Sequence, residues 1–305
     1  MNETNAIELL QSLSDAVAQL AEKVSPSVAT VGAGRRAGSG IVWSSDGHIL
    51  TANHVLGRLT SVTVRLNDGR TFESKIVGRD HYSDVALLKI EAENLTPIQQ
   101  GNSASLRTGQ FVLAMANPMG QKASATSGIV TSYARSIQGW WGVMMENAVV
   151  TDARLNPGYS GGPLVDASGK LVGMNVAYFS SRGIAVSVDT LKEVLGKLSR
   201  DGKVKKGFLG IVTDSIDLPD EISKKPEIGQ EEGLLVLSVE QGSPARNAGV
   251  TLGDIIVKLG DKPVASLYDL HRALRETQIG KATSLWVLRG EKLTELKVTP
   301  SETEE

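Results

Sequence analysis

Apolar residues recur at two different spacings along this chain. From residue 1 to 24 the spacing is helical. Ile7, Leu10, Leu13, Val17, Leu20 and Val24 follow at steps of three or four, which places them on one stripe of an α-helix. Such a stripe shows only that something covers it, either the chain's own domain or a neighbouring subunit. From Ser27 the spacing shortens. Val28–Val31, Gly40–Trp43, His48–Thr51, Ser61–Leu66, Thr71–Val77, Asp84–Ile90 and Phe111–Ala116 are brief apolar or β-branched runs separated by Gly and Asp-Gly turns such as Ser45-Asp46-Gly47. Many short strands with a turn about every ten residues predict a barrel or sandwich. Helical spacing returns at 189–200, where Leu191, Val194, Leu195 and Leu198 share a face and Asp189 is the expected N-cap. The polar stretch 201–206, with Lys203, Lys205 and Lys206, reads as a linker. A further α+β pattern fills 207–300, and the acidic Ser301–Glu305 reads as a disordered tail.

Composition narrows the chemistry. At 305 residues the chain is long enough for two domains. A net charge of -2 supplies no field that would favour nucleic acid. The absence of cysteine removes disulfides, thiolate metal ligands and cysteine nucleophiles. Residues 1–24 form a stripe and not a continuous apolar run, and their first basic residue is Lys23. They therefore read as neither a signal peptide nor a membrane span. If Met1 is the native start, the expected compartment is the cytoplasm; a trimmed start leaves a periplasmic or extracytoplasmic location.

The candidate chemistry lies in Asn156-Pro157-Gly158-Tyr159-Ser160-Gly161-Gly162-Pro163. A serine between glycines is either a hairpin turn or a nucleophile whose loop aims backbone amides at one point. The second reading puts the oxyanion hole at the amides of Gly158 and Ser160. It also requires a base and a carboxylate. Of the four histidines, His48 sits beside a turn, His81 in a polar turn and His271 on a distant helix, whereas His54 ends the apolar run Leu50-Thr51-Ala52. Asp84 opens Val85–Ile90, a setting suited to orienting an imidazole; Asp80, in the polar run Gly78–Tyr82, competes with it.

These segments resemble the HtrA (Deg) serine proteases. The resemblance runs over roughly residues 25 to 299. It rests on Thr-Ala-Asn-His-Val around His54, Asp-Val-Ala-Leu-Leu-Lys from Asp84, and Thr151-Asp152-Ala153 followed by the Ser160 segment. The resemblance implies a mostly β, chymotrypsin-like double barrel over 25–200 followed by a PDZ domain over 207–300. It implies His54, Asp84 and Ser160 as the triad, in chymotrypsin order. Gly207-Phe208-Leu209-Gly210-Ile211 resembles the PDZ carboxylate loop, which implies C-terminal peptides held at Phe208, Leu209, Gly210 and Ile211. The implied activity is ATP-independent endoproteolysis of unfolded or misfolded protein, without metal or cofactor, in a homotrimer or a multiple of one. A non-catalytic chaperone or PDZ adaptor is the competing class. The S1 pocket maps to Leu155, Tyr178 and Arg182. The last two depart from the aliphatic residues of the family, as Tyr159 departs from its asparagine and Arg154 from a small residue. Trp140 and Trp141 are either core plugs or part of a loop that orders the oxyanion hole.

Overall fold

The structure is a computed structural model that describes residues 3–33, 36–118, 120, 123–138, 144–179, 182–201 and 207–302. The chain divides into two compact units, Met1–Val204 and Lys205–Glu305. Residues 202–206, most of the expected linker, lie outside the described residues.

In the first unit, β1 (Val28–Ala33), β2 (Arg36–Val42), β3 (His48–Ala52), β4 (Ser61–Arg65), β5 (Thr71–Asp80) and β6 (Val85–Lys89) close into an antiparallel barrel of order β1-β2-β3-β6-β5-β4. A second closed barrel, β10-β11-β12-β9-β8-β7, uses β7 (Phe111–Ala116), β8 (Ser124–Gln138), β9 (Met144–Thr151), β10 (Pro163–Asp166), β11 (Leu171–Phe179) and β12 (Arg182–Ser187).

The continuous apolar runs have a simple cause. Side chains alternate between the two faces of a strand, and here both faces are buried. In β6, Ala86 and Leu88 fill the first barrel, while Val85 and Leu87 enter a separate core shared with the second barrel. In β7, Val112, Ala114 and Ala116 fill the second barrel, while Leu113 and Met115 join that shared core.

Two helices complete the shared core. From α1 (Glu3–Val24), Leu20 and Val24 are buried, but Ile7, Leu10 and Leu13 remain 62%, 67% and 59% exposed. Only the C-terminal part of the stripe is covered by its own domain. From α3 (Val188–Asp201), Leu191, Val194, Leu195 and Leu198 are buried. The expected cap at Asp189 is corrected. Ser187 Oγ accepts from the Thr190 amide at 3.3 Å, and Asp189 Oδ2 accepts from Ser103 Oγ at 2.5 Å. Asp189 thus ties the helix to the Ser103–Ser105 turn.

In the second unit, β14 (Ile211–Asp217), β15 (Glu232–Val239), β16 (Ile255–Leu259), β18 (Thr283–Arg289) and β19 (Lys292–Val298) form an antiparallel sheet in that order, with β17 (Lys262–Pro263) paired to β16. Here α6 (Leu267–Glu276), which follows the short α5 (Pro244–Asn247) in the chain, buries Leu270, Ala273 and Leu274 against Leu234, Ile256, Leu285 and Val287. A capping box of Ser266 and Asp269 starts this helix. A second cluster joins Leu218, Ile222 and Ile228, beside the short α4 (Asp220–Ser223), to Val257 and Leu288. The reading of Ser301–Glu305 as disordered is corrected at its first residues. Ser301 and Glu302 form β20, which pairs with β13 (Gly207–Phe208) and so satisfies backbone groups at both ends of this unit. Among the described residues, no helix is long and apolar enough to cross a membrane.

Candidate active site

The register of β3 against β6 sets the first half of the site. Ala52 pairs with Val85, so the residues just beyond these strand ends meet. His54 does not end the strand, as its apolar run suggested; it sits in a short helix, α2 (Asn53–Leu56), directly after it. The Asn53 amide donates to the Asp84 carbonyl at 3.0 Å, and the His54 amide to Asp84 Oδ1 at 2.8 Å. His54 Nδ1 lies 2.5 Å from Asp84 Oδ2. Asp84 is 7% exposed and adopts φ +56°, a left-handed geometry that aspartate tolerates better than most residues. With Nδ1–H bonded to the carboxylate, His54 keeps Nε2 as an acceptor, which is the tautomer a general base needs.

Asp80 has a different task. Its carboxylate accepts from the amides of Tyr82 and Ser83, both at 3.2 Å, and from Ser83 Oγ. It fastens the turn that presents Asp84. His81 lies beside the site, 2.8 Å from Asn53 Nδ2. His48 stands at the other end of β3 and bonds Asp46 at 2.9 Å. The Ser44 hydroxyl, His48 and Lys89 bring the Asp46 carboxyl down to about 2. His271 lies in α6 of the other unit.

Ser160 lies in the turn between β9 and β10. Within that turn the Tyr159 amide donates to the Asn156 carbonyl and Gly162 to Tyr159, while the Gly161 amide donates to Asn175 in β11. Among the described residues the amides of Gly158 and Ser160 donate to nothing. These are the two amides expected to form the oxyanion hole. Gly158 has φ +89°, and a Cβ there would stand 2.3 Å from Pro118 Cβ, so only glycine fits. No sequence spacing pointed to Pro118, because this contact spans forty positions of the chain. The Ser160 carbonyl accepts from the Ser39 amide at 2.9 Å, which brings the second-barrel turn onto β2 of the first. Ser160 Oγ donates to the Val176 carbonyl at 3.4 Å and makes no hydrogen bond to His54. A nucleophile–base bond of this kind commonly tightens only once substrate is in place.

Of the proposed S1 positions, Leu155 is buried in the second-barrel core, with Gly183 directly against it. Tyr178 pairs with Gly183, and Arg182 with Phe179, across β11 and β12. The side chains of Tyr178 and Arg182 lie outside the described residues, as do Trp140 and Trp141. Tyr159 is 3% exposed, within the same core as Leu155. Burial pushes its hydroxyl above the ordinary range, against opposing contacts from Thr126 and Asn156. Arg154 is exposed, and its carbonyl accepts from Thr126 Oγ1 at 2.8 Å.

In the second unit the amides of Leu209 and Gly210 also donate to nothing among the described residues. Their carbonyls are held instead, Leu209 by the Ala245 amide at 2.9 Å and Gly210 by the Glu240 amide at 2.8 Å. Gly210 has φ +75°, and a Cβ there would meet Ser243 Cβ at 2.2 Å. Leu209 is buried in the core, while Phe208 and Ile211 are half-buried. β14 follows the loop as the edge of its sheet, so its outer backbone groups are open to an added strand.

Comparison with known proteins agrees with this geometry. A trypsin-like peptidase domain matches residues 38–174, and a PDZ domain matches residues 207–299. The HtrA-type protease AlgW, solved with a tripeptide, is 30% identical and superposes with a TM-score of 0.80 over 94% of this chain and 97% of that one. This chain belongs to the HtrA family of serine proteases. The serine endoprotease from Yersinia pestis is also 30% identical, with a TM-score of 0.77 over 94% of this chain and 97% of that one. Among curated HtrA relatives, the periplasmic pH-dependent serine endoprotease DegQ of Escherichia coli is 37% identical over 86% of this chain and 58% of its own length. The probable periplasmic serine endoprotease DegP-like of Pseudomonas putida is 34% identical over 86% of this chain and 55% of its own length. The chain thus spans a little over half the length of these HtrA relatives.

Proposed function

We propose that this HtrA-family chain is a serine endopeptidase that hydrolyses unfolded or misfolded protein without ATP, metal or cofactor. The observation that carries the reading is the His54–Asp84 bond, together with a glycine-flanked Ser160 whose turn leaves two amides unpaired among the described residues. In the proposed cycle Ser160 Oγ attacks the scissile carbonyl and gives its proton to His54 Nε2. The amides of Gly158 and Ser160 receive the negative oxygen. Asp84 stabilises the imidazolium. His54 then protonates the leaving amine, and a water molecule deprotonated by His54 hydrolyses the acyl-enzyme.

The PDZ domain is proposed to hold peptides with a free C-terminal carboxylate at Phe208–Ile211. The open Leu209 and Gly210 amides and the β14 edge support this. For an S1 pocket at the mapped positions Leu155, Tyr178 and Arg182, the proposed preference is for small or medium aliphatic residues. Supporting it, Leu155 is an aliphatic residue at a position mapped to the wall, and an arginine more readily runs its stem along a wall than buries an unpaired charge. Assembly into a trimer or a multiple of it is supported by the exposed half of the α1 stripe. A periplasmic location is supported by the names of the relatives.

Hydrolysis of denatured casein by the purified chain tests the reading. The wild type should cleave it, and Ser160→Ala should lose about a thousandfold or more with an unchanged circular dichroism spectrum. A folded wild type that binds casein without cutting it would instead establish the chaperone or adaptor class.

A further inference from the structure

We propose that Ser39 is a positioning residue for the oxyanion hole, acting from the first barrel on a turn of the second; the inference rests on the peptidase reading above. Ser39 lies in β2 and is 0% exposed. Its Oγ donates to the Gly158 carbonyl at 2.7 Å and accepts from the Asn117 amide at 2.9 Å. Its amide donates to the Ser160 carbonyl at 2.9 Å, and its carbonyl accepts from Thr51 Oγ1 at 2.8 Å. Every polar group of this buried serine is therefore engaged, and two of its four contacts fall on the nucleophile turn.

The arrangement matters because each peptide unit is a rigid plane that carries a carbonyl at one end and the next amide at the other. The plane from Gly158 to Tyr159 is pinned at both ends, its carbonyl by Ser39 Oγ and its amide by the Asn156 carbonyl. The plane from Ser160 to Gly161 is pinned likewise, by the Ser39 amide and the Asn175 carbonyl. The two open amides, Gly158 and Ser160, belong to the planes that alternate with these. Ser39 holds the carbonyl end of both pinned planes and so constrains the Ser160 amide between them and the Gly158 amide on the plane just before the first. Asn117, bonded to the same hydroxyl, precedes the Pro118 that lies against Gly158. A flip of the Pro157–Gly158 plane is the direct way to lose the Gly158 donor, and the Ser39 hydroxyl restrains the plane joined to it at Gly158.

Ser39→Ala tests this beside Ser39→Thr, which keeps the hydroxyl. Both are compared with wild type under conditions where denaturation shows each to be fully folded. In Ser39→Ala, kcat on a peptide substrate should fall roughly tenfold or more with KM nearly unchanged, because the lost bond serves a group used in the transition state. Affinity for a peptide boronate, whose tetrahedral adduct occupies the hole, should fall by a similar factor, and Ser39→Thr should recover most of both. In the resting protein, ¹⁵N relaxation dispersion should appear at Gly158 and Ser160 in Ser39→Ala and be absent from wild type. An active wild type with kcat, boronate affinity and dispersion unchanged in Ser39→Ala overturns the role of Ser39 alone. A wild type that neither cleaves casein nor binds the boronate overturns the peptidase reading, and the dispersion measurement still decides whether Ser39 holds the turn.

Discussion

Replacing Gly158 by alanine adds one methyl group where the backbone has φ +89° and the new Cβ would stand 2.3 Å from Pro118 Cβ. The left-handed conformation costs an alanine about 1–2 kcal/mol. Pro118 is a closed ring and cannot swing aside as a flexible side chain would. Relieving the overlap therefore costs about 1–3 kcal/mol more. The turn avoids both costs by rotating Gly158 out of this conformation, which carries its N–H away from the oxyanion. Loss of one such donor lowers kcat roughly 100- to 1000-fold. Gly253→Ala is the control, since Gly253 has nearly the same φ, +88°, but open space around it. It should lose about 1–2 kcal/mol of stability and keep full peptidase activity. The assay is steady-state hydrolysis of a chromogenic peptide, with denaturant melts of both variants. A Gly158→Ala enzyme whose kcat stays within about threefold of wild type would refute the assignment of that amide to the oxyanion hole.

Other outcomes follow from the same structure. Burial pushes the Asp254 carboxyl up, but the Arg289 guanidinium and the Thr251 amide outweigh burial and hold it below its ordinary 3.8. Its contribution is therefore complete above that value and is lost as pH falls below it. Asp254→Asn should cost about 1–3 kcal/mol at neutral pH and flatten the acid limb of a denaturation series; an acid limb equal to wild type would contradict this. Amidating the C-terminus of a PDZ ligand should abolish its binding in a calorimetric titration, and unchanged affinity would remove the Leu209–Gly210 amides from recognition. Mass-spectrometric mapping of cuts in denatured casein should show small and medium aliphatic residues before the scissile bond. Cuts clustered after Asp or Glu, and lost in Arg182→Ala, would make Arg182 a counter-ion in the pocket instead.

Local pattern was enough to place α1, α3 and β1 to β7 and to offer His54, Asp84 and Ser160 as candidates; the family resemblance was needed to set them together as a triad. Apolar runs between turn residues located β1 to β7 because strands need short stretches of apolar and β-branched side chains wherever they occur. His54, Asp84 and Ser160 each stood in a local setting suited to the role proposed for it. Their placement depended on tertiary structure: the Ala52–Val85 register brings His54 onto Asp84, and the Ser39–Ser160 bond draws the second-barrel turn onto the first barrel. The same holds for smaller features. Asp189 looked like a cap because caps are read from neighbouring residues, yet Ser103, far off in sequence, engages it. Ser301 and Glu302 looked too polar to be ordered, yet they pair with the strand at the start of their own unit. Nothing along the chain tied Ser39 or Pro118 to the Ser160 turn. A hydroxyl in a strand or a proline in a turn becomes part of a site only when a distant carbonyl or glycine is folded against it. Composition and spacing determined which strands and which chemical groups this chain possesses. Only the closure of the barrels decided which of those groups meet, because hydrogen bonds and steric exclusion act over a few ångströms of space and take no account of distance along the chain.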